Sequence, residues 1–438
     1  MIRKIAASIL AVLCLTVFIA KAADARVQNG YLSVKIGKVF NPGVEVKVEG
    51  NGPLVIKDMT TGQAIHSFDA NSVVVTSSSE GINVGGYKWV EEKREEFIAG
   101  GAPIGTAPQI TEVVAPSNGQ QSIIEKLNPE TTATNQAVVT GDYVIKGISQ
   151  RYILEPAVEN AQITVNGKKY HGGLYFINSS GNLTVVNRVA IEDYLKGVVP
   201  KEIGPSSPHE ALKAQAIASR SFALSNIDKY KSKGYQLDDT PYSQVYFGIG
   251  GEAETSNKAI AETAGIVGYY NGKVASLIFG ASTGGVSESA KQVWGGDIPY
   301  LISVDDPYSL NVEYANWEVK MPLSELSAKL AGTKYNVGSV QAIEIVETTP
   351  QHTVKKMNII GADGTKEISG DAFRSYIGDF KVMSTWFTVV IEGDQVVVNG
   401  HGFGHRVGMS QHGAIAMAKQ GLGARDILSH YYPSVKVD

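Results

Sequence analysis

Cysteine is almost absent from this chain of 438 residues, because its single cysteine is Cys14, near the N-terminus. One cysteine cannot form an intramolecular disulfide, and beyond Cys14 no thiolate is available as a nucleophile or as a zinc ligand. A basic excess is lacking as well, since the formal net charge is -4 at pH 7. That charge argues against a nucleic-acid partner, which requires a clustered basic surface.

The N-terminal residues have the pattern of an export signal. A charged start precedes an apolar stretch at residues 5–20, and the small residues at 20–22 and 23–25 fit a cleavage site. The apolar stretch is slightly shorter than the roughly 20 residues that a membrane span needs, which favours cleavage. We therefore assign residues 1–25 to a signal peptide or N-terminal anchor. The protein is expected to be exported to the cell envelope or outside the cell, with membrane contact only through that segment.

Strand patterns dominate the rest of the chain. Residues 28–77 alternate between apolar and polar side chains, and Asn166-Gly167 is typical of a hairpin turn. The 47 glycines exceed the usual share of about 7%, as in turn-rich proteins. Helical patterns occur at 252–264, 322–331, 371–377 and towards the C-terminus, and a meander of strands is predicted at 338–369. This mixture predicts a strand-rich α+β fold.

The segment at residues 100–136 differs from the flanking sequence. It is rich in Gly, Pro, Ala, Thr, Ser and Asn and has little periodicity, which indicates a surface insertion. We therefore predict one domain at residues 28–438 with a low-complexity insertion at about 90–150.

The chain is organised around residues 198–224, which place Glu202 between an apolar run and a helix. The run at 195–199 is predicted to be extended and to end at Pro200, because proline lacks the N–H that a strand ladder needs. Residues 201–206 then form a loop. Apolar residues and glycine surround Glu202, and desolvation would raise the pKa of its carboxyl toward the value that a general acid needs. A glutamate after a proline is also common as a solvated loop residue, so both interpretations stay open.

Residue patterns typical of a helix start follow that loop. Ser207 has the position of an N-cap, Pro208 suits the first helical position, and Glu210 completes the spacing of a capping box. Many alanines leave little side-chain bulk, so neighbouring backbone can pack closely against this helix. Lys213 and Arg220 are predicted to project from one side of it.

A glycine-rich stretch near the C-terminus, GHGFGHRVGMSQHGA, is a second candidate for a binding loop. His405, Ser410 and Gln411 would line it, while the glycines would let the main chain approach a ligand. A dinucleotide fingerprint is excluded because its third glycine is missing. Zinc bound by His401, His405 and His412 is conceivable, yet no zinc-protease motif is present, and a structural turn is the alternative. No metal and no cofactor are therefore assigned.

Ser282 lies in Gly280-Ala281-Ser282-Thr283-Gly284, which matches the G-x-S-x-G elbow of serine hydrolases. The elbow requires a long helix after the turn, but glycines and a proline follow here. We favour a polar turn at the floor of a cleft over a serine nucleophile. Gln244 and Tyr246, in the stretch YSQVY, offer an amide and a ring for a ligand.

Several of these stretches together resemble the stage II sporulation protein D (SpoIID) family, which includes amidase-enhancer proteins. Residues 192–224 resemble the core of the family, and shorter matches follow in the family's order and spacing. These matches are DTPYSQVYFG, ASTGG, VWGGDIPYL, FRSYIG and GFGHRVGMSQHGAIAMAKQG. The resemblance extends from about residue 28 to the end, apart from the insertion. It implies a SpoIID-type α+β fold with a long helix after the catalytic loop and a glycan-binding groove.

The resemblance also implies an activity, because the family includes lytic transglycosylases that cleave cell-wall glycan stripped of its peptides. Catalysis by Glu202 is implied by its place in the family's V-P-x-E motif. The further binding residues that the resemblance implies are Lys213, Arg220, His405, Ser410 and Gln411. The chain departs from the family at Lys201, at Ile203-Gly204 and at Ser207, where a small residue, Met-Pro and tryptophan are common. These differences bear on substrate preference and activity more than on fold.

The expected function is therefore a peptidoglycan lytic transglycosylase that leaves 1,6-anhydro-MurNAc ends, in sporulation or cell-wall remodelling. The alternative is a non-catalytic peptidoglycan-binding module that stimulates a cell-wall amidase. The expected partners are peptidoglycan glycan strands and a cell-wall amidase. Substrate contacts are also expected from Gln244, Tyr246 and Ser282. Aromatic residues that could stack on sugar faces are Tyr242, Tyr246, Trp294, Tyr300, Tyr431 and Tyr432.

Overall fold

The computed structural model describes residues 30–41, 43–79, 81–91, 135–145 and 151–438. The expected export segment and most of the expected insertion lie outside these residues. The described residues form eight helices and 24 strands in several sheets, so the α+β prediction is confirmed. No helix among them is long and apolar enough to span a bilayer.

The chain divides into two compact units. The N-terminal unit comprises Gly30–Tyr194 and Lys229–Gly250, and the C-terminal unit comprises Leu195–Asp228 and Gly251–Asp438. The helices are α1 (Ile191–Glu202), α2 (His209–Ser225), α3 (Glu254–Glu262), α4 (Ala290–Trp294), α5 (Leu323–Leu330), α6 (Gly370–Ile377), α7 (Gln411–Lys419) and α8 (Ala424–Tyr431). The helices predicted near 252–264, 322–331 and 371–377 correspond to α3, α5 and α6.

The N-terminal unit is built from two sheets. Its strands are β1 (Tyr31–Lys35), β2 (Val46–Gly50), β3 (Leu54–Asp58), β4 (Ala64–Ser67), β5 (Ser72–Ser78), β6 (Gly81–Glu91), β7 (Asn135–Ile145), β8 (Tyr152–Pro156), β9 (Gln162–Val165), β10 (Lys168–His171), β11 (Gly173–Ser179), β12 (Asn182–Ala190) and β13 (Leu237–Asp238). The first sheet has the order β13-β1-β12-β11-β8-β3-β4, and the second has the order β10-β9-β2-β5-β6-β7. Alternate valines of β2 and β5 are buried, as the strand pattern predicts. The predicted hairpin turn at Asn166-Gly167 joins β9 and β10.

The two ends of the expected insertion are paired with each other. Strands β6 and β7 run antiparallel, with Ile82 opposite Ile145 and Glu91 opposite Asn135. The sequence does not predict β7, because the low-complexity segment at residues 100–136 overlaps the start of this strand. The insertion thus begins and ends on neighbouring strands of the second sheet.

The C-terminal unit is arranged around α2. Every side chain from Ala214 to Ala223 is buried, and α2 contacts α3, α7 and α8. The strands of this unit are β14 (Gly268–Tyr270), β15 (Lys273–Val274), β16 (Phe279–Gly280), β17 (Asn316–Pro322), β18 (Val340–Thr348), β19 (Val354–Gly361), β20 (Gly364–Ile368), β21 (Phe387–Glu392), β22 (Gln395–His401), β23 (Met409–Ser410) and β24 (Lys436–Val437). The predicted meander is the sheet β18-β19-β20. A second apolar cluster joins this sheet to α5, α6 and the sheet β17-β22-β21.

The prediction that residues 195–199 are extended is wrong, because they lie inside α1. Tyr194, Leu195, Val198 and Val199 are all buried, and their spacing is that of one face of a helix. Pro200 lies within the last turn, where its missing N–H costs one hydrogen bond of the helical ladder. Burial of the apolar face offsets that loss.

The predicted capping box at the start of α2 is also wrong. Pro208 holds the N-cap position, and no side chain caps the helix. The Ser207 hydroxyl instead donates to the carbonyl of Ile203 over 2.7 Å, which tightens the turn after α1. The Glu210 carboxylate accepts from the Lys213 ammonium and from the backbone N–H of Ala424. Glu210 thus links the start of α2 to the start of α8.

Candidate functional site

Glu202 is the last residue of α1 and is partly buried. Its neighbours Val198 and Val199 are fully buried, and Ile203 is nearly so. The left-handed backbone of Gly204, with φ of +83°, ends the helix immediately afterwards. The apolar residues that flank Glu202 in sequence are thus buried in the described structure, and a helix end presents Glu202 rather than a loop.

The two cations predicted on one side of α2 have different environments. The side chain of Lys213 is 24% exposed, and its ammonium lies 2.9 Å from Glu210 and 3.8 Å from Glu262. The hydrogen bond to Glu210 raises the pKa of Lys213. This lysine is accessible but already paired with carboxylates.

Arg220, in contrast, is only 1% exposed, which corrects the expectation that it offers its charge to a substrate. Its guanidinium donates to the carbonyl oxygens of Ile266, over 3.1 Å, and Ile260, over 3.4 Å. The helical spacing predicts Arg220 on the same side of α2 as Lys213. In the structure, α3 and the residues after α3 cover that side of α2 at Arg220. In this conformation Arg220 connects α2 to the end of α3.

The glycine-rich loop packs closely on the chain's own backbone. A Cβ added at Gly402 would lie 2.7 Å from the carbonyl oxygen of Ser282, and one at Gly408 would lie 2.0 Å from that of Ile278. Both glycines have positive φ. These glycines are therefore needed for a close approach of the backbone, as predicted. The backbone approaches residues 278–283 of the same chain, however, rather than a ligand. Strands β16 and β23 pair in parallel at this place.

His405 lies over Gly280, with its Cε1 atom 3.4 Å from the place where a Cβ of Gly280 would stand. Its Nδ1 atom accepts the N–H of Val407 over 3.0 Å, and its ring packs edge-on against Trp294 with centroids 5.1 Å apart. Desolvation lowers the pKa of His405 to about 4. The imidazole is therefore neutral near pH 7 and acts as a hydrogen-bonding group rather than as a cation.

Ser410 and Gln411 are buried at the start of α7. The Ser410 hydroxyl caps the helix by accepting the N–H of Gly413, and it shares a hydrogen bond of 2.8 Å with Ser309. The Gln411 amide donates to the side-chain oxygen of Gln215 on α2 over 3.3 Å. These contacts correct the expectation that both residues line a binding loop, since the described structure uses them to position α7.

Ser282 is 1% exposed, and its backbone exchanges hydrogen bonds with Phe403. The strand before it, β16, has two residues, and the next helix, α4, begins only at Ala290. The structural context of a nucleophile elbow is therefore missing. The preference for a polar turn agrees with this geometry, although Ser282 is covered rather than open to a cleft.

Gln244 and Tyr246 lie in the N-terminal unit, where both are buried. The Tyr246 hydroxyl donates to the side-chain oxygen of Asn187 over 3.0 Å, and the Gln244 oxygen accepts from the Tyr194 hydroxyl over 3.2 Å. Gln244 Nε2 is buried without a hydrogen-bond partner. The side-chain N–H groups of Gln244 are thus left to donate to a ligand, whereas the Tyr246 hydroxyl already donates to Asn187.

The aromatic residues proposed for stacking on sugars also differ in exposure. Tyr246, Tyr431 and Tyr432 are buried, which corrects their assignment to a stacking role, while Tyr300 is partly covered. Tyr242 and Trp294 are largely exposed. Only exposed rings can offer a face to a ligand without a rearrangement of the core.

Sequence reasoning missed a buried polar cluster around Asp306. This carboxylate is fully buried and accepts the hydroxyls of Thr283, over 2.5 Å, and Ser309, over 2.6 Å. Because Ser309 also contacts Ser410, the cluster connects the turn at Ser282 to the start of α7. Nothing in the local sequence pattern around Asp306 indicates these distant contacts.

The three histidines considered as zinc ligands do not form a metal site in the described residues. No group of three or more His, Cys, Asp or Glu side chains is close enough there to hold an ion. A pocket is found in the N-terminal unit instead, lined by Glu49, Gly50, Asn51, Asn71, Ser72, Gln162, Thr164 and Lys169. None of the predicted site residues lines it, so the glycan-binding groove stays a prediction.

Comparison with known proteins connects this geometry to a family. The SpoIID family model (Stage II sporulation protein) matches residues 179–270, and a domain of unknown function (DUF8618) matches residues 304–408. The chain is 36% identical to an uncharacterized protein of Brachyspira hyodysenteriae, across 63% of this chain and 73% of that protein. It is 30% identical to an amidase enhancer of Bacillus subtilis, across 62% of this chain and 44% of that protein.

Stage II sporulation protein D of Bacillus subtilis is 34% identical to this chain over 267 residues, which cover 58% of this chain and 75% of that protein. The family match covers α1, which carries Glu202, α2, which carries Lys213, and α3. The chain belongs to the stage II sporulation protein D (SpoIID) family.

Proposed function

We propose that this protein is an exported peptidoglycan lytic transglycosylase that cleaves the MurNAc–GlcNAc backbone of peptide-stripped strands, with Glu202 as its acid and base. Membership of the SpoIID family supports a cell-wall related function. The proposal adds a reaction and a residue to that coarser statement.

The placement of Glu202 carries the proposal. Glu202 is the last residue of α1 and is partly accessible, and Val199 and Ile203, close to it in sequence, are buried. A protonated, partly accessible carboxyl is what a general acid requires.

One carboxyl suffices for this reaction because the substrate supplies its own nucleophile. Glu202 protonates the glycosidic oxygen as its bond to C1 of MurNAc breaks, and later takes the proton of the 6-hydroxyl as O6 bonds to C1. The attack is intramolecular, so proximity lowers the barrier. Hydrolytic glycosidases, in contrast, generally use a second carboxyl to activate water or to attack the sugar.

Lys213 is the predicted substrate cation that remains accessible. Its ammonium is shared between Glu210 and Glu262, and we propose that the lactyl carboxylate of stripped MurNAc replaces one of them. Lys213→Ala is expected to weaken binding of stripped glycan. Unchanged binding and turnover in that variant would remove Lys213 from the site.

The test of the reaction is incubation of purified protein with peptide-stripped glycan, followed by mass spectrometry of the products. Wild type should form 1,6-anhydro ends, and Glu202→Gln should lower the rate by about 10²–10⁴-fold, because the amide cannot donate a proton. Glu325→Gln, at an exposed glutamate of α5, is the matched control and should keep full activity. A Glu202→Gln variant as active as wild type would refute the assignment.

A second function is favoured by one comparison, the similarity to an amidase enhancer. In that case the protein binds peptidoglycan and stimulates a separate cell-wall amidase without cutting glycan. Amidase turnover of purified walls, measured with wild type and with Glu202→Gln, separates the two functions. Equal stimulation by both proteins, together with no anhydro product from wild type, would establish the enhancer.

A further inference from the structure

Four aromatic side chains of the C-terminal unit form a continuous row. Phe380 packs edge-on against Phe403 with ring centroids 5.8 Å apart, and Phe403 packs edge-on against Tyr314 at 5.0 Å. Tyr314 in turn contacts the imidazole of His412 at 5.3 Å, with the rings nearly perpendicular. Phe380 is 84% exposed, and the other three side chains are partly exposed. A row of rings with this exposure is unlike the buried clusters of the core.

The row is assembled from separate parts of the chain. Phe380 follows α6, Tyr314 precedes β17, Phe403 lies in the glycine-rich loop, and His412 is in the first turn of α7. Tyr314 has a φ of +63°, a conformation that is strained for a bulky residue. The neighbouring carboxylate of Glu313 raises the pKa of the Tyr314 hydroxyl. Strain of this kind persists where the surrounding structure holds a side chain in place, and it is found often at ligand sites.

The row is continuous with the glycine-rich loop, in which His405 remains a candidate for glycan binding. Phe403 is separated from His405 only by Gly404, and the His405 ring contacts the exposed Trp294. Phe403 also forms the backbone pair with Ser282. The exposed rings therefore flank the residues that family resemblance connects with the substrate.

We propose that Phe380, Phe403, Tyr314 and His412 form a glycan subsite that takes the apolar faces of sugar rings in a peptidoglycan strand. The inference rests on the proposed glycan substrate and adds a binding surface outside Glu202. Aromatic rings offer a large contact area with little loss of conformational entropy. The C–H face of a pyranose is the part of a sugar with the smallest free-energy cost of desolvation.

The surroundings of the row favour a glycan over a protein partner. The residues next to the rings in sequence, Glu313, Asp379 and Lys381, are exposed and charged. A stable protein interface buries about 800 Å² on each partner around a largely apolar centre. A narrow row of rings with charged residues beside it fits a glycan strand, in which the apolar faces of the sugars are bordered by hydroxyl groups.

Binding of stripped glycan strands by variants in a Glu202→Gln background tests this inference, because the strands then stay intact. Phe380→Ala should weaken the affinity for long strands by roughly three- to tenfold, which is the range expected for one aromatic contact. Phe380→Leu, which keeps apolar area but loses the flat ring, should weaken it similarly, while Phe380→Trp should retain it. Val390→Ala, at another exposed apolar side chain, is the control and should bind as the parent does.

Each outcome distinguishes this subsite from the proposed reaction. If the Glu202→Gln parent binds glycan and Phe380→Ala binds equally well, the subsite is refuted while the reaction stands. If wild type forms no anhydro ends but Phe380 variants lose affinity as expected, the subsite stands without the reaction. A loss of affinity for a purified cell-wall amidase, with glycan binding unchanged, would assign the row to a protein partner and overturn the proposal.

Discussion

Gly408 provides the sharpest test of how the glycine-rich loop is held. Its backbone has a φ of +73°, and a Cβ at this position would lie 2.0 Å from the carbonyl oxygen of Ile278. That oxygen accepts hydrogen bonds from the N–H of Met409, over 3.0 Å, and from the hydroxyl of Tyr432. Gly408→Ala must therefore displace a carbonyl that two donors hold, immediately before the paired strands β16 and β23.

The expected loss of stability follows from three contributions. Left-handed backbone costs an alanine about 1–2 kcal/mol, and overpacking of a rigid contact costs about 1–3 kcal/mol. Weakening of one hydrogen bond adds about 1 kcal/mol. Gly408→Ala should thus lower the free energy of unfolding by about 3–6 kcal/mol, a large part of the usual 5–15 kcal/mol of a domain.

Gly404→Ala is the matched control in the same loop. Gly404 has a φ of +93°, but no atom lies within 4 Å of the place of its Cβ. Only the backbone cost of about 1–2 kcal/mol applies to it. Urea unfolding followed by tryptophan fluorescence measures both variants, since three of the four tryptophans, at 294, 317 and 386, lie in the C-terminal unit. Equal losses in the two variants would refute the assignment of Gly408 to close packing against Ile278.

Two further predictions follow from burial in the C-terminal unit. Arg220→Met should lower the free energy of unfolding by about 2–4 kcal/mol, because the carbonyls of Ile260 and Ile266 lose their donor, while Lys213→Met should cost below about 1 kcal/mol. Similar urea midpoints for these two variants would contradict the buried role of Arg220. The pKa of His405 is about 4 in the folded protein against an ordinary 6.5, so the unfolded chain binds more protons between these values. Stability should fall by up to about 3 kcal/mol as the pH drops from 6.5 to 4, and an imidazole NMR titration with its midpoint near 6.5 would refute the desolvation of this partly buried ring.

The local sequence predicts an element well where its period and its end markers agree. The Asn166-Gly167 turn and the meander at 338–369 are of this kind, while the long helix α2 follows from its period although its predicted capping box is absent. Residues 195–199 show the limit, because a short apolar run before proline has the composition of a strand and the spacing of a helix. Burial of Tyr194, Leu195, Val198 and Val199 on one face decided in favour of the helix.

The candidate site divides in a similar way. Sequence motifs indicated Glu202, which the structure places at the end of α1, partly buried, while its catalytic role stays a proposal. The roles of Arg220, Ser410 and Gln411 did not follow from their motifs, because whether a polar side chain meets solvent or a backbone carbonyl depends on which distant segment packs over it. Ile266 covers Arg220 from 46 residues away, and Gln215 meets Gln411 across 196 residues.

The amino-acid sequence by itself determined the family, the α+β class and the position of the long helix α2, since these depend on local periodicity and on motifs in a fixed order. Tertiary structure alone decided which polar residues are accessible and which aromatic rings meet. No common sequence pattern connects Phe380, Tyr314, Phe403 and His412. They form one row because the tertiary structure brings separate segments of the chain together at the same surface.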